Sequence, residues 1–141
     1  MEGRQTAAEF PVSTSKFGLG FTEGSYQTPT GKFRIARKIG GSAEPWTIFR
    51  ARKNTGRIAK PGGDEDLVLT RILTLDGLER ANANSLARYI YIHGTNQEHL
   101  IGTPASHGCV RLRNADMITL HRMVAAGTPV RILASGVKSR G

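Results

Sequence analysis

Tyr89-Ile90-Tyr91-Ile92-His93-Gly94-Thr95 and, one loop later, Ser106-His107-Gly108-Cys109-Val110-Arg111-Leu112-Arg113-Asn114 make up the stretch on which the fold turns. The run Tyr89 to Ile92 is apolar, short and rich in aromatic and β-branched residues, so it reads as a buried strand that ends at His93. Val110-Arg111-Leu112 reads as a second strand. Gly94, Gly102 and Pro104 between them supply a turning loop, which lets the two strands lie side by side. The same stretch contains the only cysteine of the chain, Cys109, and three of its four histidines, His93, His99 and His107.

Outward from this centre the pattern stays β. Phe10 to Thr14 reads as a short strand, with Pro11 confining it to an edge or a strand start. Thr28-Pro29-Thr30-Gly31 has turn chemistry, and Lys32 to Ala36 then alternates polar and apolar residues, which turns Phe33 and Ile35 to the core. Trp46 to Ala51 is a further strand, Asn54-Thr55-Gly56 a turn, and Pro61 to Asp64 a break. Leu67 to Leu73 is a buried strand, and Leu78 to Arg88 a polar connection. After the motif, Asn114 reads as a helix N-cap with Asp116 in the first turn. Met117, Leu120, Met123 and Val124 form a core-facing helical stripe, and Gly127 stops the helix. Pro129 to Leu133 is the last strand. The expectation is a mainly β domain over residues 1–134 with one clear helix after the motif, followed by a loose basic tail over 135–141.

At 141 residues and 38% hydrophobic content the chain fits one globular domain with its own core. No run approaches the ~18 apolar residues of a membrane span. Met1 to Gln5 lacks the apolar centre of a secretory signal, so the expected location is the cytoplasm, or the periplasm or cell wall if the sequence is trimmed. A single cysteine excludes an internal disulfide and any paired-cysteine zinc cage. The net charge of +9 favours anionic partners. Its carriers, among them Arg34, Arg37, Lys38, Arg50, Arg52 and Lys53, form no long basic run. No RRM, zinc-finger or helix-turn-helix signature accompanies them, so neither a specific nucleic acid nor a membrane is expected as partner. Gly62-Gly63 lacks the context of a phosphate or dinucleotide loop, and no cofactor is expected.

Cysteine reacts as its thiolate, and a neighbouring imidazole generates one by taking the proton. His93, held by a strand, is the preferred base for Cys109, with His107 in support. Gly108 leaves the backbone beside the sulfur open, so the amides of Gly108 and Cys109 are candidate donors to an oxyanion. Arg111 follows the nucleophile by two positions, so it shares its face, where it either meets a substrate carboxylate or is an ordinary strand arginine. Ser106 either orients an imidazole or caps the turn. His99 and His121 are read as surface or helix residues. Two rival readings of the whole remain: a metal site built from His93, His99, His107 and Cys109, and a non-catalytic basic module that binds polyanions.

The pair His93-Gly94-Thr95 and Ser106-His107-Gly108-Cys109-Val110-Arg111 resembles the catalytic motif of the L,D-transpeptidase family, of the YkuD type. Phe10 to Thr14, Thr28 to Phe33 and Gly127 to Val130 resemble its early and closing segments. The resemblance implies the family's β-sandwich. It also implies a cysteine that attacks the diaminopimelate–D-alanine bond of a peptidoglycan tetrapeptide stem or muropeptide and holds the acyl group as a thioester. Water would then release a tripeptide, as in cytoplasmic L,D-carboxypeptidases of wall recycling, the outcome favoured by the missing signal. An amine would give a 3→3 cross-link. By the same resemblance Cys109 is the nucleophile, His93 the base, Gly108 part of the oxyanion hole and His107 a site residue. Arg111, Ser106, Gly94 and Thr95 would line the substrate site, and carbapenems would acylate the cysteine.

Overall fold

Strand β5 (Val68–Gly77) is buried along most of its length, and the other strands assemble around it. They are β1 (Val12–Ser13), β2 (Gly31–Ile39), β3 (Thr47–Arg50), β4 (Lys53–Ile58), β6 (Tyr91–Gly94), β7 (Val110–Leu112) and β8 (Pro129–Ile132), with one α-helix, α1 (Asn114–Met123), after β7. The computed structural model describes residues 10–15, 18, 20, 28–86, 90–106 and 108–132. Among these, eight strands join in one curled sheet of order β1-β7-β6-β5-β2-β8, with β3 added beside β5 and β4 beside β3. The mainly β class and the late helix are as the sequence implied. No helix among the described residues is long and apolar enough to cross a membrane.

All pairings are antiparallel except β6 with β7, which is parallel. A parallel pair cannot be closed by a tight turn, and residues 95–109 supply the crossover it needs. Phe33 and Ile35 of β2, Leu73 and Leu75 of β5, Ile90 and Ile92, Val110 and Leu112 of β7, and Met117 of α1 form the main core. Strand alternation sends the odd-numbered residues of β6 and β7 to the other face, where Tyr91 packs with Phe49 and Ile72, and Cys109 lies against that cluster.

Several local expectations are revised. Asn54-Thr55-Gly56 is not the hairpin turn; it lies inside β4, where the register shifts between Thr47 and Phe49, and Gly56 N–H donates to Asn54 Oδ1 at 2.7 Å. A bulge takes up that turn chemistry, and the turn itself is Ala51-Arg52 between paired Arg50 and Lys53. Asn114 is the first helical residue rather than the cap; Arg113 holds the cap position, and Glu98 accepts the Asn114 N–H at 2.8 Å. Met123 is half exposed, and the helix ends there. Gly127, at φ +92, serves the following turn instead. His121 is buried, not on the surface.

Candidate active site

The parallel register pairs His93 with Arg111 and Ile92 with Val110, so Cys109 lies one step before the ladder, opposite Tyr91. Tyr91 N–H donates to Cys109 Sγ at 3.3 Å, which ties the sulfur to β6. His93 and the half-buried Cys109 thus stand on one face as diagonal neighbours on adjacent strands. His93 is 2% exposed, and its Nδ1 lies 2.5 Å from the Gly94 carbonyl. A carbonyl only accepts, so Nδ1 carries the proton and Nε2 presents its lone pair. Burial holds the His93 pKa below the usual histidine value; Asp66 and the Gly94 carbonyl oppose this, and Arg111 reinforces it. The imidazole is therefore neutral at pH 7, the state a proton acceptor requires.

Arg111 shares that face, as its spacing implied, but it is wholly buried. Its Nη1 donates to Asp66 Oδ1 at 2.9 Å and Gln97 Oε1 at 2.7 Å, and its Nη2 to Ser13 Oγ at 3.1 Å. One guanidinium thus ties β7 to β1 and to the loops before β5 and after β6. These bonds commit both Nη atoms to the fold, whereas a carboxylate-binding arginine holds its fork open to ligand. Nε is buried with no hydrogen-bond partner.

Ser106, also wholly buried, donates from Oγ to the Cys109 carbonyl at 2.7 Å and accepts the Gly108 N–H at 3.3 Å. Of its two readings, turn capping is the one the geometry matches. The Gly108 amide, expected to face an oxyanion, points at Ser106 across a long bond, while Thr28 Oγ1 holds the Gly108 carbonyl at 2.9 Å. Residue 108 has φ +119, a conformation open to glycine. His107 lies outside the described residues.

Gly94 and Thr95 face inward. A Cβ at Gly94 would stand 2.3 Å from Asn114 Oδ1 and 2.9 Å from the Leu69 carbonyl, so glycine here admits the Asn114 amide. That amide accepts from Thr70 Oγ1 at 2.5 Å and donates to the Thr95 carbonyl at 2.7 Å and to Glu98 at 2.9 Å. Thr70 sits at φ +76 where β5 bulges opposite His93 and Gly94. Sequence reading missed this network, and with it Asp66, Asn96 and Gln97. Asn96 holds the carbonyls of Gly62 and Glu65 and the Leu67 amide, and Gln97 holds the Gly63 carbonyl. The Asn-Gln pair directly after the His-Gly-Thr segment was the available signal.

A groove of about 350 Å³ opens on the same face, lined by Phe49, Ala51, Arg52, Val68, Ile72 and Tyr91. Three of these residues, Phe49, Ile72 and Tyr91, form the small core cluster against which Cys109 packs. Among the described residues no three His, Cys, Asp or Glu side chains converge as a metal would require.

With this geometry in place, comparison with known proteins is decisive at the level of family. The family model for the L,D-transpeptidase catalytic domain (YkuD) matches residues 1–132. The chain belongs to the L,D-transpeptidase family. The probable L,D-transpeptidase YcfS of Escherichia coli is 31% identical over 140 residues, which is 96% of this chain and 40% of the relative. Another E. coli relative, the probable L,D-transpeptidase YbiS, is 46% identical over 54 residues, or 38% of this chain and 18% of its own length. The chain therefore spans less than half of these relatives. In fold it is similar to an L,D-transpeptidase from Mycobacterium smegmatis, with a TM-score of 0.54 at 22% identity over 89% of this chain and 48% of that one. It is likewise similar to LdtMt1, solved in complex with imipenem, with a TM-score of 0.51 at 20% identity over 88% and 48%.

Proposed function

We propose that this L,D-transpeptidase-family domain transfers acyl groups from peptidoglycan tetrapeptide stems through a thioester on Cys109. The observation that carries the reading is the pairing of a half-buried thiol with a buried imidazole whose Nδ1 is spent on Gly94, beside an open groove. His93 Nε2 takes the Cys109 proton, and the thiolate attacks the carbonyl carbon of the diaminopimelate–D-alanine bond. As the tetrahedral adduct collapses, the C–N bond breaks and the His93 imidazolium protonates the departing D-alanine amine. An acceptor amine then attacks the thioester, its proton passes to His93, and the C–S bond breaks to give the new amide. An amine acceptor is the reaction after which the relatives are named; water on the same thioester gives the tripeptide. His107, Gly108 and the Cys109 amide complete the site in this proposal. Arg111 acts from beneath it, holding Asp66 and, through Gln97, the loop that follows the His93 strand.

The test is mass spectrometry of a tetrapeptide muropeptide incubated with and without an amine acceptor. Amine-exchanged product that vanishes in Cys109→Ala supports transpeptidation; tripeptide and D-alanine alone would make the domain a carboxypeptidase. A carbapenem is expected to add its mass at Cys109. Full turnover by Cys109→Ala would refute the mechanism.

A further inference from the structure

The groove beside Cys109 is apolar on all but one side. Phe49, Val68, Ile72 and Tyr91 line it, and Arg52 is the only charged residue among its described lining. Arg52 is exposed, so its guanidinium is hydrated and accessible, in contrast to the buried guanidinium of Arg111. Of the two arginines, only Arg52 is open to an incoming carboxylate.

The placement of Arg52 is not incidental to the hairpin. Ala51 and Arg52 are the two central residues between paired Arg50 and Lys53, with φ +49 and +66. Two positive φ values are the mark of the two-residue turn that suits β-hairpin twist, a turn in which asparagine and glycine are the favoured residues. Here alanine and arginine occupy both positions, and both line the groove. Around them the hairpin Thr47–Ile58 carries Arg50, Arg52, Lys53 and Arg57 and no acidic residue. These charges lie within eight consecutive residues, on the hairpin whose Phe49, Ala51 and Arg52 line the groove.

From this juxtaposition we infer that Arg52 anchors a carboxylate at the end of a long aliphatic side chain on the residue that donates its carbonyl to Cys109. The inference rests on the acyl-transfer reading above. The methylenes lie against Phe49, Ile72 and Tyr91, and the terminal carboxylate meets the Arg52 guanidinium at the mouth. The volume of about 350 Å³ is at the small end of ligand sites, enough for one such residue rather than an extended polymer. A donor residue with the same aliphatic chain ending in a neutral amide would fill the groove but lose the charged contact.

The test is a matched pair of synthetic tetrapeptides. In one the residue before the terminal D-alanine is diaminopimelate with a free side-chain carboxylate; in the other that carboxylate is the primary amide. kcat/KM is measured for the wild type, Arg52→Gln, Arg52→Lys and Arg57→Gln, with the thermal midpoint of each as a folding check. Arg57→Gln removes the same charge from the same hairpin without touching the groove. The wild type is expected to prefer the acid by about tenfold or more, as for a charge-assisted hydrogen bond. Arg52→Gln should erase that preference through KM, Arg52→Lys should keep part of it, and Arg57→Gln should keep it whole. Equal use of acid and amide by the wild type, or equal loss in the Arg52 and Arg57 variants, overturns the assignment and leaves acyl transfer standing. If the wild type cleaves neither peptide and a carbapenem adds no mass at Cys109, the acyl-transfer reading fails and takes this inference with it.

Discussion

Replacing Gly94 by alanine probes the joint between the helix and the strand that carries His93. The new methyl would lie 2.3 Å from Asn114 Oδ1, 3.2 Å from its Cγ and 2.9 Å from the Leu69 carbonyl. Neither neighbour yields easily. The Leu69 carbonyl is backbone on the central strand, and the amide is held by Thr70, Thr95 and Glu98. Forcing a methyl into a packed site costs about 1–3 kcal/mol. Rotating Asn114 away instead removes the acceptor of the Thr70 hydroxyl proton, whose oxygen keeps the Trp46 N–H, and the amide donor to the Thr95 carbonyl, at about 1–3 kcal/mol for each buried hydrogen bond lost. The chain adopts the cheaper response, so Gly94→Ala is expected to lose about 2–3 kcal/mol. Asn114→Ala alone should lose about 2–4 kcal/mol through its three side-chain hydrogen bonds. In the double variant the amide is gone, and the methyl meets only the Leu69 carbonyl. The combined loss should therefore fall short of the sum by about 1–2 kcal/mol. Urea unfolding of the four proteins at pH 7 measures that coupling. Additivity within about 0.5 kcal/mol would show that the two residues do not meet, and the account of why glycine follows His93 would fall.

Four further outcomes follow from the same contacts. Arg111→Ala leaves Asp66 without its buried partner and should cost about 3–5 kcal/mol in urea unfolding; a loss under 1 kcal/mol would mean the guanidinium is not structural. Asp66→Asn removes the charge that raises the His93 pKa, so the acid limb of Cys109 acylation by a carbapenem should move to lower pH, and a move to higher pH would contradict the electrostatics. His121 has its pKa pushed down from 6.5 to about 4 by burial, with Lys38 and Arg71 adding to the effect. The folded state thus binds its proton less readily than the unfolded one, and the His121 contribution is complete above about 6.5 and falls away as pH drops towards about 4. Urea midpoints between pH 7 and 4 should show this fall, and His121→Gln should flatten it; identical profiles would remove His121 as a cause. Arg52→Gly relieves a left-handed arginine and should raise stability by about 1 kcal/mol, with no gain expected if the turn is relaxed as it stands.

Periodicity and residue chemistry were enough to read the class of fold and the family. Phe33 and Ile35 alternate with polar neighbours and are buried, and Tyr89 to Ile92 is too apolar and short for anything but an inner strand; Tyr91 and Ile92 prove to belong to one, with Ile90 buried just before it. A lone cysteine after Ser-His-Gly, with a strand-borne histidine upstream, identified the family before any coordinates. Local signals failed where a distant residue competes for the same atoms. Asn114 has the composition of a cap, yet its amide is claimed by Thr70, Thr95 and Glu98, none of which sequence spacing relates to it. Asn54-Thr55-Gly56 has the composition of a turn, but strand pairing makes it a bulge.

The sequence by itself therefore determined most of the strands, the late helix and the family, because these depend on alternation and on residue types within a few positions. Only the tertiary structure decided what surrounds Cys109. The parallel register of β6 and β7 sets Cys109 and His93 on one face and turns Arg111 inward to Asp66, and the β3–β4 turn brings Arg52 to the groove. Registers and crossovers are set by the burial of the whole core, and a core is a property of contacts far apart in the chain.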